Sequence, residues 1–236
     1  MAPQGGKTVK SKPIVARSGA VRPVAKPNAM NLRRRNVAPT DRVGVLLFIN
    51  EPSASDARSV RRLFDQVGLT CLFVRASATP SSDEIHSERG ISAQADRILA
   101  AVRSALADLP HTGCSVGVLA FGVAVAPMLV AAARNAGLVQ AVVGVNGRPD
   151  LAAEALPHVH CPTLFILTGR QAGQLRLHRL ATSFLNAQNE VAILQDGPTA
   201  AISSRRLHDT AKQWFTRHLP PTKRNRAVSG RGKPRS

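Results

Sequence analysis

The sequence predicts an α/β domain: a doubly wound, mainly parallel sheet of six strands with helices on both faces. Two observations carry that expectation. From Arg42 onward, short apolar runs alternate with longer amphipathic ones, as successive strand–helix units do. The short runs are apolar throughout rather than at every second residue, which suits strands covered on both faces of a parallel sheet.

Val43 to Ile49 is the first such strand. Val60, Leu63, Phe64 and Val67 stripe one face of a helix that Gly68 is placed to end. Leu69 to Val74 is the second strand, and residues 76–90 form a loop rich in Ser, Pro and acids. Ile91, Ala95, Ile98, Val102 and Leu106 recur at helical spacing. The third strand, Cys114 to Phe121, runs straight into an Ala-rich helix, Val125 to Asn135. Strands four, five and six are Val139 to Val145, Thr163 to Leu167 and Val191 to Leu194. Leu177, Leu180 and Phe184 mark the helix between the last two strands. Leu207, Ala211, Trp214, Phe215 and His218 mark the C-terminal helix.

A chain of 236 residues, 44% hydrophobic, is long enough for one domain with a full core. Aromatics are 3% and Tyr is absent, so that core is built from Val, Leu, Ile and Ala. The formal charge of +18 is unevenly spread. Residues 1–40 hold nine Lys and Arg without an acid, and residues 220–236 hold six more, also without an acid. Seventeen bases then face all fourteen acids in between, a balance of about +3. The basicity belongs to the ends. Residues 1–41 and 220–236 lack hydrophobic periodicity and are expected to be disordered tails around a domain spanning 42–219. Met30 is a second candidate start within the first tail.

No window reaches the roughly 18 apolar residues of a membrane span, and the N-terminus has no apolar signal core. Pro3, Pro13, Pro23 and Pro27 would break an amphipathic targeting helix. Cys71, Cys114 and Cys161 are odd in number, widely spaced and set among apolar neighbours, as buried reduced thiols of a cytoplasmic protein would be.

In doubly wound sheets, ligands sit beyond the carboxyl ends of the strands. The stretch Val118-Leu119-Ala120-Phe121-Gly122-Val123-Ala124 is therefore the most informative one. A strand, a turn and a helix in that order are the setting of the nucleophile elbow G-x-S-x-G. Aligned on it, the two glycines become Ala120 and Ala124, and the nucleophile becomes Gly122. Glycine has no oxygen with which to attack.

Other residues add a resemblance. Ala141-Val142-Val143 leads to Gly147-Arg148-Pro149-Asp150-Leu151, then to Ala155-Leu156-Pro157 and Cys161-Pro162-Thr163-Leu164. Trp214-Phe215 and His218-Leu219 close the last helix. Through these residues the chain, from about Arg42 to Leu219, resembles the dienelactone-hydrolase-like branch of the α/β-hydrolases, in the version often fused to phosphoribosyltransferases. With right-handed crossovers, that resemblance implies a strand order of 2-1-3-4-5-6.

The resemblance also implies functional positions, and none carries its usual residue. The nucleophile falls on Gly122, the triad acid on Gln171 and the catalytic base near Ala200. The His-Gly pair that opens the oxyanion loop falls on Asn50-Glu51. A triad needs a nucleophile, a base and an orienting acid, so no residue is assigned a catalytic role. The competing expectation is an active ester hydrolase with a displaced nucleophile, drawn from the 76–90 loop or from Ser203 and Ser204. In that loop, Asp83, Glu84, His86 and Glu88 fit a solvated acidic segment. His158, His160 and Cys161 crowd together, but their spacing is not a zinc signature. No metal and no cofactor are implied.

What the turn retains is binding. Amides at Gly122 and Val123 open a helix, which attracts anions without any side chain. Arg148 and Arg170 follow strands four and five and are expected to flank the same spot for a small anionic ligand. In the tails, Arg33, Arg34, Arg35, Lys223, Arg224 and Arg226 are the densest cations. They are expected to hold nucleic acid or another polyanion independently of sequence, because no aromatic is there to stack on bases. A protein partner is compatible with the same features; a membrane is not expected.

Overall fold

The computed structural model describes residues 44–49, 57–74, 86–107, 115–169, 172–195 and 200–219. Six strands form one sheet: β1 (Gly44–Ile49), β2 (Leu69–Val74), β3 (Ser115–Phe121), β4 (Ala141–Val145), β5 (Thr163–Thr168) and β6 (Asn189–Leu194). Their order is β2-β1-β3-β4-β5-β6, as expected, and every pairing is parallel. All residues of β1, β3 and β4 are buried. That burial explains their unbroken apolar sequences.

Among the described residues, four α-helices connect strands, α1 (Ala57–Asp65), α2 (Glu88–Ala107), α3 (Val125–Arg134) and α4 (Ala172–Phe184), and α5 (Ala200–His218) follows the last strand. On one face, α2, α3 and α4 bury Ile91, Ile98, Met128, Leu129 and Ala181 against Val45, Leu47, Val118 and Phe165. On the other, α1 and α5 bury Val60, Phe64, Trp214 and Phe215 against Leu46, Phe48, Leu119 and Val143. Most of the interior is aliphatic, and each of the two apolar layers alone is a substantial hydrophobic contribution.

Several sequence expectations shift, among them β6, which pairs from Asn189 rather than from Val191. The helix expected after residue 90 already runs from Glu88, where the Ser87 hydroxyl accepts the Gly90 N–H and satisfies a first-turn donor. Strand pairing in β4 begins at Ala141 rather than Val139, although Val139 is buried. In α4, Leu180 and Phe184 do not face the core; His178 and Ala181 do, as does Leu185 just past the helix. A histidine took a core position because its Nδ1 lies 2.8 Å from the Gln174 carbonyl, one turn back. Its ring then packs edge-on against Phe165.

Strand register positions the site. Phe121 at the end of β3 is level with Val145 of β4, and Val145 is level with Ile166 of β5. The turn that begins at Gly122 therefore lies beside the turn that begins at Asn146.

Candidate functional site

Beyond Phe121 the chain makes a single 3-10 turn, Gly122–Ala124, before α3. Gly122 has a φ of +54°, and a side chain placed there would meet nothing within 4 Å. The position expected to hold a nucleophile thus has the left-handed backbone and the open space for one, but no side chain. Neither Phe121 nor Ala124 caps the turn or the helix with a side chain; the Val125 N–H, first of α3, is held by the Gly122 carbonyl.

The neighbouring turn is built by Asn146-Gly147-Arg148-Pro149-Asp150-Leu151. Asn146 sits at φ +50°, which Asn tolerates better than other residues with a side chain. Its side chain joins two strand ends: Nδ2 donates to Thr168 Oγ1 (2.9 Å), and Oδ1 accepts from the Thr168 N–H (3.0 Å). Gly147 has φ +99°, and its Cα lies against the Gly122 carbonyl where a methyl group would overlap the oxygen. Pro149 opens the following 3-10 turn, Pro149–Ala152.

Arg148 makes a two-pronged pair with Asp150, Nε to Oδ1 at 2.8 Å and Nη2 to Oδ2 at 2.7 Å. That hydrogen bond holds the Arg148 pKa above its ordinary value and the Asp150 carboxyl below the usual carboxylate range. The Arg148 side chain is 45% exposed, so it remains partly presented outward.

These turns enclose a cavity of about 270 Å³ lined by His86, Gly122, Val123, Ala126, Asn146, Gly147, Arg148, Leu151 and Gln174. Gly122, Val123 and Arg148, three of the four ligand-site residues expected from sequence, are brought together there. Arg170 and the six tail cations Arg33, Arg34, Arg35, Lys223, Arg224 and Arg226 lie outside the described residues, as do Asn50, Glu51, Asp83, Glu84, Gln171 and Cys114. Sequence reasoning did not assign His86, Asn146 or Gln174 to the site. For Asn146 the signal was the Asn-Gly pair, a marker of turns with positive φ. His86 and Gln174 come from distant segments and had no local signal.

Of the competing candidates, residues 76–85 lie outside the described residues, His86 of the same loop lines the cavity, and Ser203 and Ser204 are not among its lining residues. Ser203 and Ser204 are in the first turns of α5, and Ser204 Oγ is 3.4 Å from His208 Nδ1. His208 is 5% exposed, beside the rings of Phe48 and Phe64, and is not in the cavity wall. Among the described residues no group of three or more His, Cys, Asp or Glu is placed to hold a metal ion. No helix of the described residues is long and apolar enough to cross a membrane.

Cys71 and Cys161 are buried. Burial pushes the Cys161 thiol up to about 11, and only the thiolate is a good nucleophile. Iodoacetamide at pH 8 is therefore expected to leave Cys161 unmodified in the folded protein and to alkylate it fully in denaturant, as read by peptide mass spectrometry.

A parallel sheet in this order, with a positive-φ turn leading from its central strand into a helix, is the α/β-hydrolase fold, and the chain has that fold. A cold-adapted esterase from an Arctic intertidal metagenomic library superposes with a TM-score of 0.59 over 76% of this chain and 83% of that one, at 12% identity. Sequence likeness is greater to a dienelactone hydrolase from Anabaena variabilis: 29% identity, TM-score 0.62, 75% of this chain and 87% of that one. Among curated proteins, two candidate phosphoribosyl transferases of Mycobacterium tuberculosis, strains CDC 1551 and H37Rv, are 33% identical over 118 residues. That match covers 48% of this chain, which spans only 27% of their length. It accords with the phosphoribosyltransferase-fused version of the fold. No family model matches the chain.

Proposed function

We propose that this chain is a non-catalytic homologue of the α/β-hydrolases, which holds a small anionic ligand over Gly122 and attracts polyanions through its basic tails. One observation carries the reading: the turn that presents a nucleophile keeps its backbone shape and its open space around a residue with no side chain. The positions for base and acid, near Ala200 and at Gln171, offer no replacement chemistry.

Support for binding comes from the cavity's composition. Val123, Ala126 and Leu151 give it an apolar wall, the uncapped amides of the turn offer donors, and the outward side of Arg148 supplies positive charge. Its volume suits a small molecule rather than a long acyl chain.

A fluorophosphonate probe for active serine hydrolases is expected to label no residue of the full-length protein. Turnover of p-nitrophenyl esters and of dienelactones is expected to stay at the buffer rate. Gly122→Ser alone should not change this, because a hydroxyl without base and acid is a weak nucleophile. Labelling of a single serine in the native chain would establish the competing reading of a displaced nucleophile. Strong rescue by Gly122→Ser would show that a working base and acid are present.

A further inference from the structure

Asn146 carries reactive chemistry that the proposed function leaves unused. It is the only asparagine of the chain that glycine follows. In an Asn-Gly pair, the main-chain nitrogen of the glycine can attack the side-chain amide carbon of the asparagine. A Cβ on the second residue hinders that approach, and glycine has none. The bond from Gly147 N to Asn146 Cγ forms as the Cγ–Nδ2 bond breaks, and the Gly147 amide proton leaves with Nδ2 as ammonia. Water then opens the five-membered imide. The product is aspartate, or isoaspartate, in which the main chain runs through the side-chain carbon.

The fold holds this pair back. Nδ2 and Oδ1, the two polar atoms bonded to Cγ, are both engaged by Thr168 at the end of β5, at 2.9 and 3.0 Å. The Asn146 N–H donates to the Ile166 carbonyl at 2.9 Å, and the Gly147 Cα lies against the Gly122 carbonyl. Ring closure carries Cγ onto the Gly147 nitrogen, so the side-chain amide must first leave Thr168. Only the fraction of molecules in which the ends of β4 and β5 have parted is able to react.

The position gives the product its consequence. Asn146 and Gly147 line the cavity beside Arg148, the one Lys or Arg among its lining residues. Aspartate and isoaspartate both set a carboxylate into that wall. Isoaspartate also lengthens the main chain ahead of Gly147, where the two turns already touch.

We propose that Asn146 is a self-modifying site guarded by Thr168, whose deamidation follows local parting of the β4 and β5 ends and closes the cavity to anions. The closure rests on the anionic ligand proposed for the cavity; the guarded site does not. Because ammonia departs, each modified molecule stays modified. The cavity is kept while the junction is closed and lost in proportion to the time it spends open.

Peptide mass spectrometry of the full chain, incubated at pH 8, follows the conversion. Asn146 should deamidate at least about a hundredfold more slowly in the native chain than in denaturant. Thr168→Val removes the Oγ1 acceptor and should speed the native reaction about fivefold, matching the net contribution of one neutral hydrogen bond. Ile98→Val thins the core under α2 at a comparable cost in stability. It should leave the rate unchanged, which separates local parting from global unfolding. A thermal midpoint well above the incubation temperature verifies that both variants are folded. A native rate equal to that in denaturant, no effect of Thr168→Val, or equal acceleration by both variants overturns the guarded site.

The Gly122 and Val123 amide resonances test the closure. In the native chain they should shift on titration with inorganic phosphate. The deamidated chain and Asn146→Asp should need at least about tenfold more phosphate, since a carboxylate there repels the anion. A deamidated chain that binds phosphate as the native one does overturns the closure. A native chain indifferent to phosphate overturns the anionic ligand and the closure with it, while the rates still decide the guarded site.

Discussion

Gly147→Ala is expected to destabilise the protein by about 3–5 kcal/mol, seen as a large fall in the urea midpoint with little change in slope. Two causes add. The φ of +99° is a conformation that L side chains rarely adopt, and the new methyl would overlap the carbonyl oxygen of Gly122. Backbone, unlike a side-chain tip, cannot turn aside, so the turns after β3 and β4 would have to separate. Gly122→Ala is the control: its φ of +54° is strained too, but the methyl enters open space, and about 1–2 kcal/mol is expected. Equal losses at the two positions would show that strain alone governs these turns and that their contact does not matter.

Exchanging the fifteen Lys and Arg of residues 1–40 and 220–236 for Gln is expected to weaken binding to a 30-base-pair duplex by at least about a thousandfold near 50 mM salt. The middle of the chain is left with a charge of about +3, with bases and acids nearly balanced. The native chain should lose affinity steeply with salt, its log–log slope growing by about 0.9 for each phosphate neutralised. Duplexes of different sequence should bind alike, since phosphate contacts carry no base information. Fluorescence anisotropy over a salt series measures all three. A neutralised variant that binds within a few-fold of the native chain would place the polyanion site on the folded domain.

The fold was open to reading because its strands are buried on both faces. Leu69–Val74 matched to the residue, and the runs ending at Ile49, Phe121 and Val145 ended where the strands do, since continuous apolar sequence has few other uses at that length. Gly122 was legible as the decisive position because a strand–turn–helix pattern fixes where the turn must fall. The flank of α4 was not. Leu177, Leu180 and Phe184 show helical spacing, yet the core takes His178, whose polar Nδ1 is occupied by its own helix. Hydrophobicity alone ranks those residues in the wrong order. The cavity was only half legible for another reason: beyond the Asn-Gly pair that marks the Asn146 turn, His86 and Gln174 reach it through tertiary packing, and nothing in their local spacing records it. The Arg148–Asp150 pair needed only two residues of separation, but its two-pronged geometry depends on the 3-10 turn between them.

The exchange of hydrogen bonds between Asn146 and Thr168 makes the ends of β4 and β5 a single rigid rim. A molecule entering the cavity meets a wall that was ordered when the chain folded, so little conformational entropy is lost at the moment of capture. If the proposed binding holds, recognition at such a rim is selective by shape. On the proposed reading, a ligand that does not match the gap between Asn146 and the Gly122 turn would find no softer arrangement to adopt, and the cavity would discriminate by refusing to adapt.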